Sequence, residues 1–130
     1  MRYTIDRRAR VFHLDLNRPV SAHRALEQSL ALLAAEPELW GWDWIVDART
    51  VPEDASIEQI ARLATVFAAQ PAAPAEALAT TVLVSEDRFL HLWAKVMDFQ
   101  FPNRKHLVVT DIGQARRLIE ARRTAKMNRK

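Results

Sequence analysis

The chain has 130 residues, 49% of them hydrophobic and 27% charged, which suits a single globular domain able to bury a core and excludes a disordered or membrane-embedded chain. It has no cysteine, so disulfides and thiolate metal sites are excluded and a reducing cytoplasm is the expected location. The net charge of +3 hides an asymmetry: residues 104–130 carry nine Lys or Arg against only Asp111 and Glu120, which leaves residues 1–103 at −4. A basic end can attract phosphate-rich partners. Charges along one helix and in a terminal tail read more simply as a solvated face, so a nucleic-acid partner is not expected.

Residues 1–6 pass directly into alternating polar and apolar positions, without the unbroken apolar run of a secretory signal. No segment reaches the roughly 18 apolar residues of a membrane-spanning helix. Tyr3 and Ile5, then Phe12, Leu14 and Leu16, keep a period of two on either side of Arg7-Arg8-Ala9-Arg10. This predicts an antiparallel hairpin with one buried face. Ser21 is placed to cap a helix carrying Ala22, Ala25, Leu26, Ser29, Leu30 and Leu33, which Pro37 stops.

Trp42, Trp44 and Val46 alternate with Asp43, Ile45 and Asp47, and Trp44-Ile45-Val46 is apolar enough for a central strand covered on both faces. Ser56-Ile57-Glu58-Gln59 reads as a capping box opening a helix with Ile57, Ile60, Ala61, Ala64, Phe67 and Ala68 on one stripe, ending near Gln70. Pro71-Ala72-Ala73-Pro74-Ala75 is a connection, and Thr80–Val84 a buried strand. Ser85, with Glu86 and Asp87, is expected to start a helix whose inner face is Phe89, Leu92, Trp93, Val96 and Met97. The last strand is predicted over His106–Thr110, and Asp111 caps a final helix bearing Ile112, Ala115, Leu118 and Ile119.

The order is β-β-α-β-α-β-α-β-α: five strands and four helices in one domain over 1–124, with 125–130 a mobile basic tail. Helical connections imply parallel pairing with right-handed crossovers, leaving the first strand antiparallel, at an edge or beside the second.

This order, with Trp44-Ile45-Val46-Asp47-Ala48-Arg49, Thr81-Val82-Leu83-Val84-Ser85 and the closing Val108–Ile119, resembles the SpoIIAA-like fold of STAS domains and small bacterial proteins related to them. The resemblance implies a mixed α/β sheet and a regulatory module that binds a protein partner rather than an enzyme. In the anti-sigma-factor antagonists of this fold, a serine opening a helix after such an Asp-ended strand is phosphorylated. The matching hydroxyl here is Ser56, but Asp54-Ala55-Ser56-Ile57 lacks the glycine and the second serine of that motif, and capping alone accounts for Ser56.

Ligands of open parallel sheets bind outside the carboxyl ends of the strands, which groups Asp47, Arg49, Ser85, Thr110 and Asp111 on one rim. Ser85 and Asp111 also read as caps, and Asp47 with Arg49 as a local pair. Two glycines, Gly41 and Gly113, cannot make a phosphate-cradling loop, and no nucleophile elbow is present. His13, His23, His91 and His106 lack metal-ligand spacing. No catalytic residue, metal or cofactor is assigned.

Trp40 and Trp42 are the candidate interface residues, including a homodimer interface, because aromatic side chains anchor protein contacts; Trp44 and Trp93 read as core. The reading is therefore a non-catalytic interaction module. The alternative is a small-molecule or lipid-binding domain with an apolar pocket beside the helix 89–101.

Overall fold

The structure, a computed structural model, describes residues 2–17, 21–50, 58, 62, 65, 66, 78–87, 89–100 and 104–128. Five strands, β1 (Arg2–Asp6), β2 (Val11–Asp15), β3 (Asp43–Asp47), β4 (Ala79–Val84) and β5 (Arg104–Val109), form one sheet in chain order. β1 pairs antiparallel with β2, and β2 to β5 run parallel. The predicted hairpin is present, with β1 both at an edge and beside β2. Three helices are described: α1 (Ala22–Ala35), α2 (Phe89–Gln100) and α3 (Ile112–Met127). Of the helix predicted over 57–70, the described residues Glu58, Arg62, Thr65 and Val66 are helical, and Arg62 reaches Glu27 of α1 at 2.5 Å.

Register divides the side chains between two faces, because opposed residues of neighbouring strands point the same way. Ile5, Phe12, Trp44, Thr81 and His106 align on one face. There α1 contributes Leu33 to a core with Phe12, Trp44 and Leu39, flanked by Ile5, Leu14, Leu32, Trp40 and Trp42, and α2 lies against β5. Val11, Ile45, Val82 and Val109 belong to the other face, where α3 packs Ala115 and Ile119 against Ile45, Val82 and Val84. Trp44-Ile45-Val46 is thus covered on both faces, as its sequence suggests. The caps of α1 and α3 also stand as read: Ser21 Oγ accepts from the Arg24 amide at 3.1 Å and Asp111 Oδ1 from the Gln114 amide at 2.8 Å.

Three local expectations need correction. Trp40 and Gly41 lie in a 3-10 turn over Pro37–Gly41, Trp42 follows it, and β3 starts only at Asp43. Leu39 of that turn is fully buried, and its carbonyl accepts the Trp44 indole N–H at 2.7 Å. Two positions missed ahead of the last strand belong to it, since β5 begins at Arg104. Ser85 accepts from the Asp87 amide at 3.1 Å, which closes a turn two residues on rather than capping α2. The last helix, α3, runs to Met127, into the segment 125–130 expected as a tail, and Lys126 is bound to the Leu78 carbonyl.

Candidate functional site

The parallel strands give the sheet two chemically different ends. At the amino end, where β3, β4 and β5 begin, cations are built into the fold. The Arg104 guanidinium is 2% exposed. It donates to Thr81 Oγ1 at 2.8 Å, to the Trp40 carbonyl at 2.9 Å and to the Trp42 carbonyl at 2.7 Å, with a longer bond to the Thr80 carbonyl. Its Cζ lies 4.0 Å from the centre of the Trp44 ring. Burial pulls its pKa down to about 9, against the opposing charge of Asp43. The planar fork thereby fixes the turn that carries Trp40 and Trp42 to the start of β5.

From α3, Arg123 donates to Asp43 Oδ2 at 2.7 Å and to the carbonyls of Ala9 and Arg10, while Arg122 donates to Thr80 Oγ1 at 2.9 Å. Burial lowers the Lys126 pKa, with Asp43 acting in the other direction. Much of the basic carboxyl-terminal segment therefore joins α3 and β5 to strand starts instead of forming a solvated face.

At the carboxyl end the rim holds Asp15, Asp47, Arg49, Ser85, Thr110 and Asp111. Asp15 and Asp47 stand opposite each other in the β2–β3 register. Arg49 binds Asp47 through two bonds, at 2.9 and 2.6 Å. Burial works to raise the Asp47 carboxyl, but the hydrogen bonds from Arg49 and Asn17 prevail and hold it below its ordinary value. Asn17 in turn accepts from the Thr50 amide at 2.8 Å, and its own amide donates to Asp15. His13, half-buried on the same face, is lowered first by burial and then by the charge of Arg116, against Asp47 and Asp15. Thr110 donates to Gln114 Oε1.

The rim residues follow the carboxyl ends of β3, β4 and β5, and each is engaged locally: Asp47 with Arg49, Ser85 in its turn, Asp111 at its cap. Asp47 and Arg49 form the local pair that their spacing allows. No group of three or more His, Asp or Glu among the described residues is arranged to hold a metal ion. Ser56 and Gln59 lie outside the described residues.

The tryptophans are less open than expected for an interface. Trp44 is buried, edge-on to Phe12 with ring centres 5.8 Å apart, and Trp40 tilts against it at 5.9 Å. Trp40 and Trp42 are half-buried against the α1-side core. Of the side chain of Trp93 nothing is described.

Two features of α2 escaped the sequence reading. The first is a partly buried polar cluster against β5: Asp98 Oδ1 accepts from the His106 amide at 2.6 Å and meets His106 Nδ1 at 3.0 Å, while Lys105 Nζ donates to Asp98 Oδ2 at 2.8 Å. Burial would raise the Asp98 carboxyl, but the bonds from Lys105 and His106 outweigh it and depress it. Burial keeps His106 below its ordinary value despite Asp98.

The second is the orientation of the helix. Ala94, Met97 and Asp98 face inward, whereas Leu92 is 62%, Val96 41% and Phe99 85% exposed. Leu92 and Val96 were expected on the inner face; they lie on the outer one because the Asp98–His106 contact turns the helix. Spaced i, i+4 and i+7, these three side chains form an apolar stripe along one outward face.

No family model matches this chain. No curated protein and no solved structure matches it either. Among the described residues no helix is long and apolar enough to cross a membrane.

Proposed function

We propose that this chain is a non-catalytic interaction module, similar in kind to STAS and SpoIIAA-like domains, which binds a protein partner or itself through the outer face of α2. The observation that carries the reading is the exposed stripe Leu92–Val96–Phe99. Single exposed apolar residues are ordinary, but three in register on one helix form a ready surface for a partner helix. The engaged state of the rim agrees with a binding role: its carboxylates and its serine are held by caps, a turn and an ion pair. The stripe replaces Trp40 and Trp42 as the preferred contact region, because those two side chains pack partly into the core.

The test compares the wild-type protein with a Leu92→Ser/Phe99→Ser variant, in size-exclusion chromatography with light scattering and in affinity capture. Self-association or a specifically captured protein, lost in the variant while its far-ultraviolet circular dichroism is unchanged, supports the reading. A wild-type monomer that captures nothing, or capture that is equal in both forms, contradicts it.

A further inference from the structure

β1 is an open edge of the sheet. Among the described residues no strand lies beyond it, and Arg2, Tyr3, Thr4 and Asp6 are exposed, with Ile5 half-buried. Every second residue of an edge strand turns its backbone N–H and C=O outward, where they can pair with a further strand. Tyr3 is 51% exposed, although its ring lies 6.3 Å from that of Phe12 at the margin of the α1-side core. The sequence Arg2-Tyr3-Thr4-Ile5-Asp6 is complementary to its own reverse. Laid antiparallel about Thr4, Arg2 of one copy stands opposite Asp6 of the other, Tyr3 opposite Ile5, and Thr4 opposite Thr4. Opposite charges, an aromatic beside a β-branched residue, and a threonine pair are cross-strand combinations that stabilise antiparallel strands.

We infer that two copies of this chain join through β1, antiparallel about a two-fold axis at Thr4, so that two five-stranded sheets become one continuous sheet. Symmetry and charge select this arrangement. A two-fold axis perpendicular to the sheet keeps each face continuous, so Tyr3 and Ile5 extend the α1-side core across the junction while Arg2, Thr4 and Asp6 lie together on the other face. In the β1–β2 register Asp15 stands opposite Arg2, so each Arg2 falls between two carboxylates, Asp15 of its own copy and Asp6 of the other. A parallel copy would set Arg2 beside Arg2 and Asp6 beside Asp6, and an antiparallel register moved by two residues would set one of these charges against Thr4. Edge strands are commonly kept from pairing by lysines, a proline or a bulge, and β1 has none of these. With five residues a side, the contact falls in the small class of interfaces, so the dimer forms in a concentration-dependent way. This contact is separate from the stripe on α2, which packs against β5 at the opposite edge of the sheet.

The chain has no cysteine, so single cysteines report the register directly. Opposed residues of antiparallel strands have Cα atoms about 4.5–5.5 Å apart, within disulfide range, whereas residues well out of register are too distant. Under mild oxidation Thr4→Cys is expected to cross-link into a covalent dimer with at least about fivefold the yield of Asp6→Cys, because Asp6 faces Arg2 of the other copy and not its own counterpart. Arg2→Cys mixed with Asp6→Cys is expected to cross-link where each alone does not. Light scattering of the wild-type chain at rising concentration is expected to reach the mass of two chains, with association at least about fivefold weaker in Arg2→Glu and recovered when Arg2→Glu is mixed with Asp6→Arg. Asp6 also holds the Ala9 amide, so its variants are checked by far-ultraviolet circular dichroism, whereas Thr4→Cys and Arg2→Glu leave that bond in place. A wild-type chain that stays monomeric up to about 1 mM, a Thr4→Cys yield no higher than that of Asp6→Cys, or association indifferent to Arg2→Glu overturns the two-copy contact. So does a monomeric chain that captures another protein in a manner lost in Arg2→Glu, or a dimer abolished by Leu92→Ser/Phe99→Ser but unchanged by Arg2→Glu. A dimer that persists in Leu92→Ser/Phe99→Ser, while capture of a protein partner is lost, supports the contact through β1 and leaves the role of α2 standing.

Discussion

Asp43 and Arg123, 80 positions apart in the sequence, meet at 2.7 Å where β3 begins. Asp43 Oδ1 also accepts the Thr80 amide at 2.8 Å, so one largely buried carboxylate holds the start of β3, the start of β4 and the last turns of α3 together. Asp43→Ala leaves the guanidinium and the amide without this acceptor and is expected to cost about 1–3 kcal/mol. Arg123→Ala is expected to cost less, since its side chain is partly solvated. Chemical denaturation of both single variants and the double variant measures their coupling, expected to be at least about 0.5 kcal/mol and favourable. Strict additivity would show that the pair is incidental.

Arg104 is expected to tolerate no replacement, including lysine. A lysine keeps the charge but cannot reach Thr81 Oγ1 and the carbonyls of Trp40 and Trp42 together, nor lie flat over Trp44 as the guanidinium does. Arg104→Lys is expected to lose about 2–4 kcal/mol by urea denaturation, because buried acceptors lose their donors. The Trp44 environment should also change in near-ultraviolet circular dichroism, while the stripe on α2 stays intact.

The pH dependence follows from groups whose pKa is depressed in the fold. His106 and His13 are held below their ordinary value, so below about pH 6.5 the unfolded chain takes up protons that the fold resists, and stability falls as pH falls. Asp98 and Asp47 are depressed as well, so their contribution is complete above about pH 4 and is lost on further acidification through their folded values. All four groups act in one direction. The urea midpoint is expected to fall between pH 7 and pH 5 and more steeply below pH 4, with the first decline smaller in His106→Gln. A midpoint that rises on acidification to pH 5 would contradict this assignment.

The sheet was legible because its signals are local. Alternation at Phe12, Leu14, Trp44 and Val46 and the breaks at Asn17 and Pro37 place two of the strands and the end of α1, and the serine and aspartate caps mark two helix starts. Arg104 was not legible. A charged residue after Pro102-Asn103 reads as loop, and its burial depends on carbonyls of Trp40 and Trp42 more than 60 residues earlier. The facing of α2 was hidden for a different reason: Leu92, Val96 and Phe99 make one apolar stripe, and Ala94 and Met97 with the neighbouring apolar positions permit another. Periodicity cannot choose between two stripes, and the choice is made by Asp98 pairing with a residue of β5. On the rim, the sequence allows the Asp47–Arg49 pair but does not show that Asn17 also binds Asp47.

The central claim is that the outer stripe of α2 serves recognition and contributes little to folding. The melting temperature of Leu92→Ser/Phe99→Ser against wild type tests it most directly. Surface substitutions away from packed features change stability by no more than about 0.5 kcal/mol each, so the two melting temperatures are expected to agree within about 4 °C. A fall of more than about 8 °C would show that these side chains belong to the core and would contradict the claim.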